Sequence, residues 1–550
     1  MSHGLTFPVR ILSLVSLVGS TLLVLNCSSG TPGQSSGAGG ATGTGGSGGG
    51  TAGGTPGTGG TPATGGTSGA GGAPPADTGQ SVLTRNKHET RDAFFTQPTL
   101  TKAMAAKMAL DAVFTANFTG AMWAAPLYLE NGPNNKGVFF AVTTGNDVFA
   151  LDETTGAIVW MHSIGMASSN NGSVNGCGNI RPLGILSTPV IDAATRTIYV
   201  AGGVGAGAGI DRHEVHALNV DTGLERMGWP VNVSALKGPG NVNFNTVAQN
   251  QRSALSLVNG ILYVAYGGHV GDCGSYRGWV IAINTATPTQ TGAWATGGIG
   301  EAIWAAGGMA SNGNGVFATT GNRTQGDSAT HADSEEVVHV TGMATVDRAT
   351  GIYFPSHWRT MDQQDADFGA VSPVFINVPG ATPASLLAAV AKDGHFYLLN
   401  PANLGGMAGH IADVQIANGA MATKATPAAY VSGTGVHVVL NSGGAACPAG
   451  TSGGIISILV SPGAPPTAKA AWCAAGGDNS PIATSTNGKD ETIVWYVNGG
   501  ALKGVDGDTG AAIFGGAGNC SGVRQWTSPI AVKGRIVVGG DGHLCSWSPH

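Results

Sequence analysis

The stretch Asp147-Val148-Phe149-Ala150-Leu151-Asp152-Glu153-Thr154-Thr155-Gly156-Ala157-Ile158-Val159-Trp160 reads in order as an apolar strand, an Asp-led turn and a second strand ending on Trp. Asp before Thr-Gly suits a tight turn, because its side chain bonds the backbone a few residues on and Gly takes the corner. The unit returns as Leu218-Asn219-Val220-Asp221-Thr222-Gly223, Val346-Asp347-Arg348-Ala349-Thr350-Gly351 and Val505-Asp506-Gly507-Asp508-Thr509-Gly510. Looser copies stand at Ile283-Asn284 and Leu399-Asn400.

A second element alternates with it: a small residue, Pro, then an apolar strand. It occurs at Ala125-Pro126-Leu127, Thr188-Pro189-Val190, Ser372-Pro373-Val374, Thr426-Pro427-Ala428, Ser480-Pro481-Ile482 and Ser528-Pro529-Ile530. Weaker copies at Ser253-Ala254-Leu255 and Met309-Ala310-Ser311 complete eight starts, roughly 48 to 65 residues apart. Runs such as Thr197-Ile198-Tyr199-Val200-Ala201 lie between the two elements, so each unit holds about four short strands. Repeats of this length and content predict an all-β fold, an eight-bladed β-propeller over residues 80–550. Trp160 is expected to pack between adjacent blades. The eighth unit supplies three strands, near 527–532, 534–540 and 542–547, and Ser81-Val82-Leu83-Thr84 is the expected fourth.

The repeat around Asp147–Trp160 resembles that of the quinoprotein-type propellers, the eight-bladed folds of the PQQ-dependent alcohol dehydrogenases and their non-enzymatic relatives. A closer resemblance is to exported bacterial PQQ-like repeat proteins of undefined function. It is carried by Val82-Leu83-Thr84-Arg85-Asn86, Gln249-Asn250-Gln251-Arg252 and Tyr276-Arg277-Gly278-Trp279-Val280. In the dehydrogenases the resemblance implies PQQ at the propeller axis, with Ca²⁺ or another hard ion on carboxylate and amide oxygens. There the quinone often stacks between a Trp and a disulfide of adjacent cysteines. This chain has no Cys-Cys pair and no C-x-x-C-H haem site.

Composition agrees with a chain of strands and turns. Of 550 residues, 92 are Gly and only 10% are charged, against a usual ~25%. That excludes a helical bundle, a coiled coil and a multi-span membrane protein. The net charge of −6, without a basic run, excludes nucleic acid as a partner. Residues 1–26 read as a signal peptide: Arg10 precedes the apolar run Ile11–Leu25, which is shorter than the ~20 residues of a membrane span. Val24-Leu25-Asn26-Cys27 resembles a lipobox, with Asn26 departing from the usual small residue, and makes Cys27 the expected lipidation site. Residues 27–79 are almost wholly Gly, Thr, Ser, Ala and Pro, the composition of a disordered tether. The chain is therefore expected to be an exported, monomeric lipoprotein facing the periplasm or the cell surface.

Polar residues that neither strands nor turns require are the candidates for binding. Gln251 and Arg252 precede the third unit's first strand, and His269 and Asp272 follow its second. Trp304 opens the fourth unit, Asn322 follows Thr319-Thr320-Gly321, and Lys392 follows Ala388-Ala389-Val390. Asp365 and Asp367, before Ser372-Pro373, are a candidate pair for a hard cation. Loops entering first strands gather at a propeller's mouth, so these residues are expected to converge there on a small molecule or a protein. Six cysteines remain in the folded part. Their positions suggest Cys177–Cys273, Cys447–Cys473 and Cys520–Cys545. The leading reading is a ligand- or partner-binding module. The alternative is a PQQ-dependent dehydrogenase that oxidises alcohols or sugars.

Overall fold

A computed structural model describes residues 79–169, 177–326, 329–417 and 425–550. The signal peptide, Cys27 and all but the last residue of the tether lie outside the described residues. Eight antiparallel sheets follow one another along the chain as the blades of one propeller. The first blade shows the pattern. Leu127–Leu129, Val138–Val142, Asp147–Asp152 and Ile158–Ser163 pair in sequence order from the axis outward. The inner strands of blades two, five, six, seven and eight are Val190–Asp192, Val374–Asn377, Ala428–Ser432, Ile482–Ser485 and Ile530–Val532, each directly after the repeat's Pro. Ser256–Val258 opens blade three, and in blade four a single bridge, Ala310 to Phe317, stands in that place.

The Asp-Thr-Gly turns do two jobs. Asp152 Oδ1 accepts the amides of Thr154 at 3.0 Å and Thr155 at 2.9 Å, while Gly156 turns the chain at φ +78°. The glycine of the next blade's turn then receives the Trp. Trp160 donates to the Val220 carbonyl at 2.9 Å, and a Cβ on Gly223 would stand 2.7 Å from its ring. Trp472 repeats the lock on blade seven, donating to the Gly507 carbonyl at 2.9 Å and leaving 2.7 Å for a Cβ on Gly510.

Ring closure differs from the expectation. The strand that completes blade eight is Met108–Leu110, paired antiparallel with His543–Pro549, and Ala116–Asn117 pairs with the same strand. Ser81–Thr84 instead enters the axis. The reason is hydrogen bonding: the inner strand of each blade presents an unpaired backbone edge to the channel, and residues 82–97 satisfy these edges in turn. The Val82, Leu83, Glu89, Thr90, Asp92 and Ala93 carbonyls accept the amides of Tyr128, Ile191, Ser311, Phe375, Ala429 and Ala483 at 2.7–3.0 Å. Glu89 Oε1 takes the Leu257 amide at 3.4 Å, and Gln97 donates to the Ala531 carbonyl at 3.3 Å. Every blade is thereby reached. Phe94–Thr96 continues as a parallel strand on the inner edge of blade seven.

Two arginines of this segment fill the axis. Arg91 is fully buried and places all five N–H donors: Nε on the Met309 carbonyl, Nη1 on Thr84 Oγ1 and the Arg85 carbonyl, Nη2 on the Leu255 carbonyl and Ser256 Oγ. Arg85 reaches Thr188 Oγ1 and Ser480 Oγ from the same place. Burial, with Arg91 beside it, lowers its pKa to about 9. Arg91→Met leaves several buried acceptors without donors. It is expected to cost at least about 3 kcal/mol, read as a fall in the urea midpoint at unchanged slope.

Candidate functional site

Segments leading into inner strands, and turns joining second to third strands, emerge on one face of the propeller. Arg252, Trp304 and Trp526 are of the first kind, and Asp272 and Lys392 of the second. With Asp365 they line a cavity of about 180 Å³ at the axial mouth. His269 lines an adjoining cleft with Asn179 and Ile180.

The mouth is built as a row of cations and indoles. Arg524 lies 5.1 Å over Trp123, whose ring centroid is 4.5 Å from that of Trp526. The Arg252 guanidinium stands between Trp526 and Trp304, at 3.9 and 4.9 Å, and Lys392 Nζ lies 5.8 Å from Trp304. Each contact places a cation over an electron-rich face. Arg252 is 7% exposed. Its Nε donates to the Trp304 carbonyl at 2.9 Å, and its terminal nitrogens donate to no described protein group. Burial lowers its pKa to about 9, with Asp367 acting against that shift.

Lys392 is committed in the opposite way. Its Nζ reaches Asp367 Oδ2 at 2.5 Å and Asp365 Oδ2 at 3.4 Å. Burial works to lower its pKa, but the two carboxylates outweigh it and hold the ammonium above its ordinary range. The acidic pair therefore converges on a cation that belongs to the chain. Asp367 is fully buried and also accepts the Asn322 amide at 3.0 Å, whereas Asp365 is exposed. Behind them Glu335, likewise buried, accepts the Phe368 amide and leaves Oε1 without a partner. Burial first, and the Asp367 charge second, push its pKa well up.

Of the residues singled out by sequence, Arg252, Asp272, Trp304, Asp365 and Lys392 share the cavity. His269 donates to the Val247 carbonyl at 3.2 Å, and burial lowers its pKa, so it stands neutral in the cleft wall. Asp272 is held by the Tyr276 hydroxyl. Gln251 turns away and donates to the Ser253 carbonyl at 2.7 Å, and Asn322 contributes its backbone rather than a side chain in the cavity. Trp123, Trp526, Arg524 and Glu335 were not anticipated. The two Trp residues carried a signal, since each stands three places before a repeat Pro, Pro126 and Pro529.

Disulfides brace this face. Cys177 and Cys273 are bridged with Cα atoms 5.8 Å apart, and Gly178 donates to the Val270 carbonyl beside them at 2.8 Å. The bridge joins the two loops that edge the cavity and cleft. Cys447–Cys473 and Cys520–Cys545 stand within blade six and the closing region, at Cα separations of 5.7 and 5.8 Å. His543 lies beside the latter pair, but those sulfurs are bonded to each other and offer no thiolate.

Glu335 makes stability depend on pH with a definite sign. A carboxyl whose folded pKa is raised stabilises fully below its unfolded value, and that contribution is lost as pH rises through the folded one. Glu335→Gln keeps an acceptor for Phe368 and removes the titration. The variant should match the wild type near pH 4 and exceed it at pH 8, measured as urea midpoints at both pH values.

No family model matches the chain, and no curated protein matches it. Solved structures do. The quinohemoprotein alcohol dehydrogenase of Comamonas testosteroni superposes with a TM-score of 0.54 at 14% identity, over 85% of this chain and 80% of that one. The quinohemoprotein alcohol dehydrogenase ADHIIG of Pseudomonas putida HK5 gives 0.56 at 13%, over 86% and 80%. A europium-containing methanol dehydrogenase gives 0.52 at 14%, over 84% and 89%. At such identities the likeness is one of architecture: the chain folds as an eight-bladed β-propeller like those of these dehydrogenases.

Proposed function

We propose that this protein is an exported, membrane-tethered propeller that binds a small molecule bearing a carboxylate or a comparable anionic group at the mouth. The observation carrying this reading is Arg252: a buried guanidinium, clamped between two indoles, on the wall of a cavity, with its terminal N–H groups given to no described protein acceptor. A buried cation without a partner anion is costly, and a planar guanidinium matches a carboxylate through paired hydrogen bonds. Lys392, already held by Asp367 and Asp365, leaves this task to Arg252. The Cys177–Cys273 bridge restrains two loops at the rim, which lowers the ordering cost of binding. Three disulfides accord with an oxidising compartment, and the lipobox-like Val24–Cys27 accords with lipidation at Cys27.

The residues present do not fit PQQ with a hard cation. The cavity holds about 180 Å³, whereas sites for ligands of that size run to about 300–1,000 Å³. Arg252 covers the Trp304 ring that a quinone would stack on, and Lys392 occupies the space between the carboxylates of Asp365 and Asp367. A shared fold leaves the chemistry of the site to its own residues.

The test is calorimetric titration of the wild type with small carboxylates, dicarboxylates and inorganic phosphate, repeated on Arg252→Gln. At least one of these anions should bind the wild type and lose tenfold or more in affinity in the variant. Absence of binding by all of them overturns the reading. Dye reduction on an alcohol panel after addition of PQQ and Ca²⁺ establishes the dehydrogenase instead. For the anchor, Cys27→Ser is expected to move the protein from the membrane to the soluble fraction.

A further inference from the structure

A second cavity lies at the other end of the axis, where inner strands turn into second strands. It holds about 560 Å³ between the axial segment and blades three to seven. The first described residues leave from this same face: Gln80 pairs with Gln97 and with the Lys533 amide in the turn of blade eight.

The chemistry of this cavity differs from that of the first, whose lining sets Arg252 and Lys392 beside Asp272 and Asp365. The second lining contains no Lys or Arg. Two carboxylates, Glu89 and Asp92, come from the axial segment, and Phe94, Phe375 and Tyr430 supply aromatic surface on a mainly apolar wall. Arg91 lies behind Glu89, 3.4 Å from its carboxylate, with every N–H donor already placed on other groups. Asp92 is fixed by His88 Nδ1 at 2.8 Å and by Thr90 Oγ1 at 2.9 Å.

Each feature narrows the ligand. Without Lys or Arg, and with its one imidazole, His88, turned onto Asp92, the lining offers an anion little to pair with. Among the described residues no set of three carboxylate or imidazole groups converges here as a metal site requires. The volume lies within the range of pockets for small organic ligands. Carboxylates together with aromatic faces attract a positive charge on an apolar body, through ion pairing and the ring quadrupoles. We infer that this second mouth is a binding site for a small organic cation, an aromatic or aliphatic body carrying an ammonium group, seated against Glu89 and Asp92 of the axial segment. The inference is independent of the site at Arg252.

Three probes with one ring system test it on the full chain: naphthylmethylammonium, naphthylmethanol and naphthylacetate, titrated by calorimetry and followed by naphthyl fluorescence. The ammonium should bind one to one, at least tenfold more tightly than the alcohol or the acid. Asn377→Trp places an indole in the cavity from its rim, outside the packed core, and should abolish binding with the fold retained by circular dichroism. Glu89→Gln should weaken the ammonium at least fivefold and leave the alcohol unchanged. Arg252→Gln, at the opposite mouth, should change neither the ammonium nor the alcohol value, and the acid, which the proposed site at Arg252 can take, is compared in that variant. Equal binding of the ammonium and the alcohol, preference for the acid that persists in Arg252→Gln, no ammonium binding at millimolar concentration, or loss of ammonium binding in Arg252→Gln overturns the inference.

Discussion

Arg91 is the group on which the propeller's closure turns. Three of its five donors hold the inner edges of blades three and four, the other two bond Thr84 and Arg85 within the axial segment, and that segment then meets the other six blades in order. Blades of a propeller ordinarily touch only their neighbours, so cooperativity passes round the ring one interface at a time. Here residues 82–97 touch every blade and couple them directly. The segment adopts an unfavourable backbone to do this. Asn86, Lys87, Arg91 and Ala93 all have positive φ, between 52° and 71°, which non-glycine residues rarely adopt. Such a conformation persists only where surrounding bonds over-determine it, and the row of carbonyl-to-amide bonds around the axis meets that condition.

The same segment gives the two mouths opposite character. Arg85 and Arg91 lie fully buried between them, where neither arginine lines either cavity. At one end the chemistry comes from loops that enter the inner strands, with Arg252 between Trp304 and Trp526. At the other it comes from the axial segment itself, with Glu89 and Asp92. A central channel that serves one ligand in many propellers is thus divided into two chambers of different charge.

The fold was legible because it is written in local, repeated signals. Asp-Thr-Gly turns and Pro-led strands each act over a few residues, and their recurrence counts the blades. The three suggested cysteine pairs are those the structure contains: Cys177 and Cys273 stand on two loops of one face, and in each of the other pairs a loop cysteine meets one on a strand, Cys473 or Cys545, close by in sequence. The axial segment was not legible. Val82-Leu83-Thr84 reads locally as a strand, but the partners of Arg85 and Arg91 stand as far as 395 and 218 residues away, and no periodicity reports such contacts. The site was half legible for the same reason. Arg252, Trp304 and Lys392 stood out as residues that strands and turns do not need. The pairing of Lys392 with Asp367 depends on how blade five folds back on the loop before it, and that geometry has no sequence signature.

That pairing shows how one architecture passes between chemistries. Carboxylates near a propeller axis can hold a hard cation, whose charge then polarises whatever lies above it. Here an ammonium reaches the same kind of place on a side chain, 2.5 Å from Asp367. It neutralises the carboxylate but brings no open coordination position, and it cannot exchange a ligand. The remaining uncommitted positive charge is Arg252, which offers hydrogen-bond donors instead of Lewis acidity. On the proposed reading, a mouth built this way recognises an anion by shape and charge. Chemistry that needs a metal-bound oxygen would first have to displace Lys392, breaking its ion pair in a buried site, where leaving an unpaired charge costs several kcal/mol.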